Sequence, residues 1–380
     1  MSNDYNDYGY MPYTGTGQDN VSFDIELLKR EVGQRFPFYD LRFDQSTAVF
    51  YVRVDTDTVD EQFDSLHVSL SERGYLPLLR CEHGEHLLYV VQKPRVKKKP
   101  VWVNLLLLAA TILTTTLAGA YQWVEINQGE WVEMFSEFYL WQGFVFFSVP
   151  LLSILGVHEM GHYFVSKRHG LDASLPYFIP LPPPFVLGTF GALISTHEPI
   201  PNRKTLFDVG VSGPICGFVV AVIVSFVGFG LMEQNPLPVS PGVTGVTISL
   251  PLILEGMSRL FNLPTGMVIQ IHPTLFAGWV GIFLTAVNLL PIGQLDGGHV
   301  AQAVLKDYHK YLSWVIVIVL VILGLFYQGW FMFAFLVLFF IGMRHQPPLN
   351  ELSTLDSRRK FVGVLIVVIF IVSFAPIPLA

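Results

Sequence analysis

The sequence predicts an all-α polytopic membrane protein with about 6–7 transmembrane helices, a re-entrant β-hairpin and a small N-terminal α+β domain. Three observations predict this class. Hydrophobic residues make up 52% of the 380 residues, whereas charged residues make up only 14%. Several apolar runs are long enough to cross a hydrocarbon core of about 30 Å. A polar segment with helix and strand periodicity precedes all of these runs.

The chain before the first apolar run divides into a tail and a periodic segment. Residues 1–21 are rich in Tyr, Gly, Asp and Asn, and they have neither a basic start nor an apolar core, so we expect a disordered tail and no signal or transit peptide. Residues 22–94 follow the order helix, two strands, helix, two strands, which predicts a small α+β domain. The basic run at 95–99 then favours the cytosolic face for this domain, because basic residues beside a first span stay inside.

Residues 101–378 are predicted to form one transmembrane domain. Its apolar runs give seven crossings, over residues 101–120, 139–165, 207–232, 275–304, 311–327, 330–343 and 361–374. Residues 171–201 are apolar, but five prolines between residues 176 and 184 exclude a straight spanning helix. Within them, residues 185–195 are strand-like and rich in glycine. Either a re-entrant hairpin or an interfacial loop explains this segment.

The second apolar run contains the motif His158-Glu159-Met160-Gly161-His162. Histidines four residues apart share one face of a helix at about 6 Å of rise, so both imidazoles can reach one metal ion. Glu159 is placed to accept a proton from water at that metal, as in the H-E-x-x-H pattern of zinc metalloproteases. A solvated polar patch is the alternative interpretation. The apolar run before the motif favours a functional role, because such residues are costly at membrane depth.

A second polar group lies in the fourth predicted crossing, between Asn288 and His299. Pro291 and Gly293 predict a break in the helix there. Asp296 follows the break as a metal ligand, a proton-relay group or a structural cap, and the presence of H-E-x-x-H favours the ligand. His299 can compete for the metal, but we interpret it as a supporting residue. Two histidines, a carboxylate and a water would complete a four-coordinate zinc site.

Other candidate sites and partners are weaker. Cys81, His83 and His86 lie close together in sequence, but a polar hairpin tip explains them equally and no fourth ligand is evident. A disulfide between Cys81 and Cys216 is not expected, because one lies in a polar segment and the other in an apolar one. The net charge of -7 argues against a nucleic-acid partner.

With these motifs the sequence resembles the site-2 protease family of intramembrane zinc metalloproteases. The resemblance covers about residues 140–304. It rests on the H-E-x-x-H motif, on Gly188-Thr189-Phe190-Gly191, on Gly213-Pro214, on Asn288 to Pro291 and on Leu295-Asp296-Gly297-Gly298.

The resemblance implies one Zn²⁺ per chain, bound by His158, His162 and Asp296, with Glu159 as the catalytic base. It implies substrate binding by Asn288 and by a hairpin that contains Gly188, Thr189, Phe190 and Gly191. The implied activity is hydrolysis of peptide bonds within or near transmembrane segments of other proteins in the lipid bilayer, in regulated proteolysis. No PDZ or CBS domain is recognisable, which leaves substrate selection open. The arrangement is similar to archaeal, cyanobacterial and plastid members, and the absent transit peptide favours a multi-pass protein of a prokaryotic cell membrane.

Two other functions stay open on the sequence. An inactive protease-like protein or a metal transporter is the first, although transport favours ligands spread along a crossing and here they gather at one end. A membrane protease of another class, such as one that trims prenylated proteins, is the second. The Leu-Asp-Gly-Gly setting of Asp296 argues against it. Oligomeric state is not predicted.

Overall fold

The computed structural model describes residues 24–44, 47–93, 99–196, 198–237, 248–263, 270–338 and 347–378. The described chain is mostly helical, with a small β region near the N-terminus, as the sequence predicts. It forms two compact units. Unit 1 falls within Met1–Lys98, Pro199–Leu206 and Gln346–Leu355, and unit 2 within Lys99–Glu198, Phe207–His345 and Asp356–Ala380. The tail predicted at 1–21 lies outside the described residues.

Unit 1 contains a four-stranded antiparallel sheet with the strand order β1-β2-β4-β3 and two helices. Its helices and strands follow the order predicted from the sequence pattern. Strand β2 alternates between buried and half-buried residues, as expected of a strand with one face on a core. That core is apolar and includes Leu28, Phe36, Phe50, Phe63 and Leu88. The elements are α1 (Ile25–Gly33), β1 (Phe38–Phe43), β2 (Thr47–Val52), α2 (Val59–Ser71), β3 (Tyr75–Glu82) and β4 (Glu85–Gln92).

Two distant segments of the chain complete unit 1. The backbone N–H of Leu79 in β3 donates to the carbonyl of Leu349 at 2.7 Å, and the Leu349 side chain joins the core. Lys204 Nζ lies 2.6 Å from a carboxylate oxygen of Asp60. These contacts join residues more than 100 positions apart, so no local sequence pattern indicates them.

Unit 2 contains the long apolar helices, except for residues 203–206 at the start of one of them, which belong to unit 1. Four helices of the described chain are long and apolar enough to cross a membrane: Trp102–Ile126, Glu137–Arg168, Arg203–Gln234 and Asp296–Gly324. The predicted count of seven crossings remains a prediction. The elements are α3 (Trp102–Ile126), α4 (Glu137–Gly143), a π-helical turn (Phe144–Ser148), α5 (Val149–Arg168), β5 (Tyr177–Pro180), β6 (Thr189–Leu193), α6 (Arg203–Gln234), α7 (Leu252–Ser258), α8 (Pro273–Asn288), α9 (Asp296–Leu305), α10 (His309–Gly324), α11 (Gly329–Leu336) and α12 (Ser357–Ser373).

The crossing predicted over residues 275–304 is not one helix. Helix α8 ends at Asn288, and α9 begins at Asp296. The break predicted at Pro291 and Gly293 lies between them, and Gly293 has a φ of 48° that favours glycine. Asp296 therefore begins a helix that continues through a short 3₁₀ turn to α10, instead of lying inside a crossing that starts at Leu275.

Strands β5 and β6 pair as an antiparallel hairpin within the proline-rich segment. A bridge between Ala173 and Thr196 extends the pairing beyond the strand ends. The hairpin lies where strand-like residues are predicted. Its re-entry into the membrane remains a prediction.

Candidate metal centre

Three side chains from two helices converge at one point in unit 2. His158 and His162 are buried on α5, one turn apart, and Asp296 is the first residue of α9. The Nε2 atoms of the two histidines are 3.2 Å apart, and each lies 3.3 Å from Oδ2 of Asp296. Three atoms that can act as metal ligands thus form a nearly equilateral triangle.

The size of this triangle fits a zinc ion. Four ligands at about 2.0–2.1 Å around a tetrahedral zinc lie about 3.4 Å from one another. The observed separations of 3.2 and 3.3 Å match that edge length. Within the described residues this is the only group of three or more His, Cys, Asp or Glu side chains with ligand atoms close enough to share an ion. Cys81, His83 and His86 do not form such a group.

Helix α6 fixes the orientation of His162. Its Nδ1 lies 2.8 Å from the backbone carbonyl oxygen of Val209, so Nδ1–H donates to that oxygen. The lone pair of Nε2 then points towards the other two members of the triangle. A metal-binding histidine usually makes this kind of second hydrogen bond, because it fixes the tautomer and the ring.

Two glycines of α6 make room for the histidine rings. A Cβ at Gly213 would overlap the imidazole of His162, and a Cβ at Gly217 would lie 2.9 Å from Nδ1 of His158. The two glycines are four residues apart, as are the two histidines. Small residues at this point in the sequence permit close helix contact. The matching spacing of the two pairs is the sequence signal that could have identified α5 as the contacting helix.

Two further glycines allow the backbone around Asp296 to pack closely. A Cβ at Gly297 would overlap the carbonyl oxygen of Leu289, and a Cβ at Gly210 would lie 3.2 Å from the carbonyl oxygen of Asp296. The Leu-Asp-Gly-Gly sequence thus allows the start of α9 to pack closely on neighbouring backbone. His299 lies one turn further along α9, with its Cβ beside Gly210, and it is not a member of the triangle.

Asp208 on α6 anchors the backbone beside the centre. The Arg359 guanidinium donates to both of its carboxylate oxygens, at 2.7 and 2.6 Å, and His169 Nε2 lies 3.0 Å away. Asp208 precedes Val209, whose carbonyl accepts from His162. This network therefore links α6 to α12 and to the residue that follows α5, and no sequence pattern predicts it.

The other predicted site residues surround the triangle without joining it. Glu159 is buried, with 8% of its surface exposed, and its carboxylate lies close to the backbone N–H of Ile194, directly after β6. Asn288 is the last residue of α8, and its side chain makes no hydrogen bond to another described residue.

The predicted substrate-binding residues of the hairpin lie at its turn and in β6. Gly188 and Gly191 have φ values of 66° and 110°, which favour glycine. The Thr189 hydroxyl donates to the carbonyl of Ile179 across the hairpin at 2.9 Å. The Phe190 side chain is 66% exposed. The hairpin is therefore internally bonded, while Phe190 is available for contact.

Comparisons with known proteins agree with this geometry. Residues 146–326 match the family model for peptidase family M50. The chain is 32% identical over 241 residues to "Probable zinc metalloprotease EGY1, chloroplastic" of Oryza sativa subsp. japonica, a match that covers 60% of this chain and 40% of that protein. It is 26% identical over 236 residues to the EGY2 protein of Arabidopsis thaliana, covering 60% and 41%.

The segment that matches the family model includes the residues of the triangle. The EGY3 protein of Arabidopsis thaliana is also similar, at 26% identity over 260 residues, covering 60% of this chain and 43% of that protein. The chain spans less than half the length of these curated relatives in each match. The matched family segment contains the motif on α5, the glycines of α6 and Asp296. The segment 146–326 of this chain is therefore similar to peptidase family M50, the site-2 protease family.

Proposed function

We propose that this chain is an intramembrane zinc metalloendopeptidase that hydrolyses peptide bonds within or near transmembrane segments of other proteins. The triangle of His158, His162 and Asp296 carries the proposal, because its edges match a tetrahedral zinc site and leave the fourth position open. An open position distinguishes a catalytic zinc from a structural one. Metal transport has less support, since the described residues contain no second group of candidate ligands.

The three members of the triangle would hold one Zn²⁺ through Nε2 of each histidine and Oδ2 of Asp296. When bound, the ion would lower the pKa of a water molecule to about 7 and stabilise negative charge on the scissile carbonyl oxygen. Glu159 would accept the proton of the attacking water and deliver it to the leaving amine. Val209 keeps His162 in the required tautomer throughout, because its carbonyl holds the Nδ1 proton.

The hairpin would hold the substrate in an extended form. A transmembrane helix hides its carbonyl groups in hydrogen bonds, so it must unwind locally before a peptide bond can be attacked. Addition of the unwound segment to a strand edge would keep it open. We assign this role to β6 with Gly188, Thr189, Phe190 and Gly191, and we assign Asn288 to orientation of the scissile peptide.

The apolar helices of the described chain support a membrane protein. We propose about 6–7 crossings, with the small α+β domain on the cytosolic side, on the strength of the basic run at 95–99. The sequence favours a prokaryotic cell membrane, whereas the relatives described above are named as chloroplastic proteins of plants. Transmembrane proteins are the expected substrates.

The role of Glu159 is tested by the variant Glu159→Gln in the full chain, purified in detergent. Zinc content, measured by plasma mass spectrometry, is expected to stay near one ion per chain, because Glu159 is not a member of the triangle. Cleavage of a doubly tagged protein with one transmembrane helix is expected to fall by roughly 10²- to 10⁴-fold. Cleavage at the wild-type rate would contradict the assignment.

The role of Asp296 is tested by Asp296→Ala, with Asp307→Ala as the matched control. Asp307 is an exposed carboxylate in the 3₁₀ turn after α9 and lies outside the triangle. Loss of a direct ligand is expected to weaken zinc binding beyond the roughly 10- to 100-fold effect of removing a supporting hydrogen bond. The control is expected to retain zinc. Equal zinc content in the two variants would count against Asp296 as a ligand.

A further inference from the structure

Helix α3 carries polar side chains within an apolar sequence, and one of them bonds to the start of the hairpin. Asn104 is buried, and its Nδ2 donates to the carbonyl oxygens of Leu175 at 2.8 Å and Pro176 at 3.0 Å. A buried amide is costly unless its hydrogen bonds are made. Here the amide group donates to the carbonyl oxygens of the two residues that precede β5, so both of its protons are used.

A second contact joins α3 to the turn of the hairpin. The Thr114 hydroxyl lies 2.6 Å from the carbonyl oxygen of Gly188, directly before β6, and somewhat further from two carbonyls of its own helix. Gly188 has a φ of 66°, and a Cβ there would lie 2.5 Å from the Thr114 carbonyl oxygen. The two backbones therefore touch, and only glycine fits between them.

The two contacts fix the hairpin at both ends along α3. Asn104 and Thr114 are ten residues apart, which corresponds to about 15 Å of helix. One holds the entry to β5 and the other holds the turn that leads into β6. Because α3 packs mainly against β5, strand β6 lies on the side of the hairpin that faces α5.

The position of β6 matters because it ends beside the proposed base. Ile194 follows β6 directly, and its backbone N–H lies close to the Glu159 carboxylate. A strand advances about 3.3 Å per residue, so a small shift of β6 along α3 would present a different peptide bond of a paired strand. Contacts between the hairpin and another element are needed to prevent β6 from shifting in this way.

We propose that Asn104 and Thr114 are positioning residues that hold β6 in register with Glu159, and so determine which peptide bond of a substrate is cut. The proposal rests on the proposed function of the hairpin as the strand that pairs with substrate. It assigns to the first long apolar helix a role in selecting the cleavage position, in addition to support of the fold.

The central test compares Thr114→Val, Thr114→Ser and Thr116→Val. Valine keeps the size of threonine and removes the hydroxyl, whereas serine keeps the hydroxyl. Thr116 is the matched control, because its hydroxyl is buried in the same helix without a hydrogen-bond partner among the described residues. Asn104→Leu removes the other contact at similar size.

Cleavage is measured on a tagged 20-residue leucine–alanine transmembrane helix with a central Gly-Pro pair, and the cut bonds are located by mass spectrometry. Thr114→Val and Asn104→Leu are expected to lower kcat/KM about tenfold, mainly through KM, and to spread cleavage onto neighbouring bonds. Thr114→Ser and Thr116→Val are expected to cut the wild-type bond with the wild-type KM. The proposal is overturned if Thr114→Val matches Thr116→Val in both KM and cut position.

Hydrogen exchange of the hairpin amides separates this proposal from the proposed protease function. Thr114→Val is expected to speed exchange of the hairpin amides at Leu181 and Gly191 at unchanged zinc content, while Thr116→Val leaves exchange unchanged. If the wild-type chain leaves the peptide uncut, the protease proposal fails, and the exchange result still decides whether α3 holds the hairpin. Unchanged exchange in Thr114→Val would overturn the positioning role.

Discussion

Unit 1 contains a buried carboxylate and unit 2 a half-buried one, each with several close partners, and the two clusters differ in what balances the charge. In unit 1, Glu31 accepts from the Ser69 hydroxyl at 2.7 Å and from Arg35 at 3.0 Å, with Arg73 at 3.6 Å. In unit 2, Asp296 faces two imidazole nitrogens at 3.3 Å. No arginine or lysine of the described chain pairs with it.

This difference separates a structural cluster from a binding site. The chain itself supplies the donors and cations around Glu31, so the cluster is complete once the unit folds. At the triangle, the chain brings three ligand atoms together, and helix α6 approaches so closely that glycines are required at Gly213 and Gly217. Such a site stays incomplete without a cation. A charge that is removed from most of the solvent and that its own chain leaves uncompensated is therefore the better marker of function.

The largest effect that tests this contrast is expected from Gly213→Ala, with Gly230→Ala as its control on the same helix. A Cβ at Gly213 would overlap the His162 ring, whereas the nearest atom to a Cβ at Gly230 is a side-chain carbon of Phe261 at 3.8 Å. Gly213→Ala is expected to displace His162 and to abolish stoichiometric zinc binding in the full chain. Gly230→Ala is expected to bind zinc normally, because the added methyl group makes only an ordinary contact there. The helix is not weakened either, since alanine is favoured over glycine in a helix by about 1 kcal/mol.

Zinc content by plasma mass spectrometry and cleavage of the tagged transmembrane protein are measured on both variants. Wild-type zinc content in Gly213→Ala would mean that α6 does not constrain the histidines, and the triangle would then be a looser site. Circular dichroism of both variants shows whether the helices are retained, so loss of zinc can be separated from loss of fold.

How much the sequence predicts depends on the range of the interactions. Strand and helix periodicity predicts the elements of unit 1, and β2 shows the reason most clearly, because its residues alternate with one face on a single core. The spacing of His158 and His162 similarly predicts that the two side chains meet. Local sequence patterns do not predict the hydrogen bond between Leu79 and Leu349, because the two residues are distant in sequence.

The same limit applies at the metal centre. The sequence predicts the break at Pro291 and Gly293, but it does not show that Asp296 begins a new helix, since apolar composition is similar on both sides of the break. Val209 accepts the hydrogen bond from His162 through its backbone carbonyl, which every residue type has, so the sequence does not indicate this role. Asp208 and Arg359 are separated by 151 positions, so their pairing depends on the tertiary fold.

A smaller effect, on the stability of unit 1, is expected from Glu31→Gln. This variant tests whether the Glu31 cluster is a structural counterpart to the Asp296 site. The hydrogen bond from Ser69 and the guanidinium groups of Arg35 and Arg73 hold the pKa of the Glu31 carboxyl below its ordinary value. Because the folded pKa is lowered, the ionised form stabilises unit 1 above the unfolded pKa of about 4.5, and this contribution is lost as the pH falls through the folded pKa.

At pH 7 the variant Glu31→Gln is expected to lower the free energy of local opening by roughly 2 kcal/mol. Hydrogen exchange of the α1 and α2 amides in the full chain, corrected for intrinsic rates, is expected to show a wild-type advantage that shrinks below about pH 4.5. An advantage of equal size at pH 7 and pH 3 would show that the Glu31 cluster acts through packing, and its charge would then be no counterpart to that of Asp296.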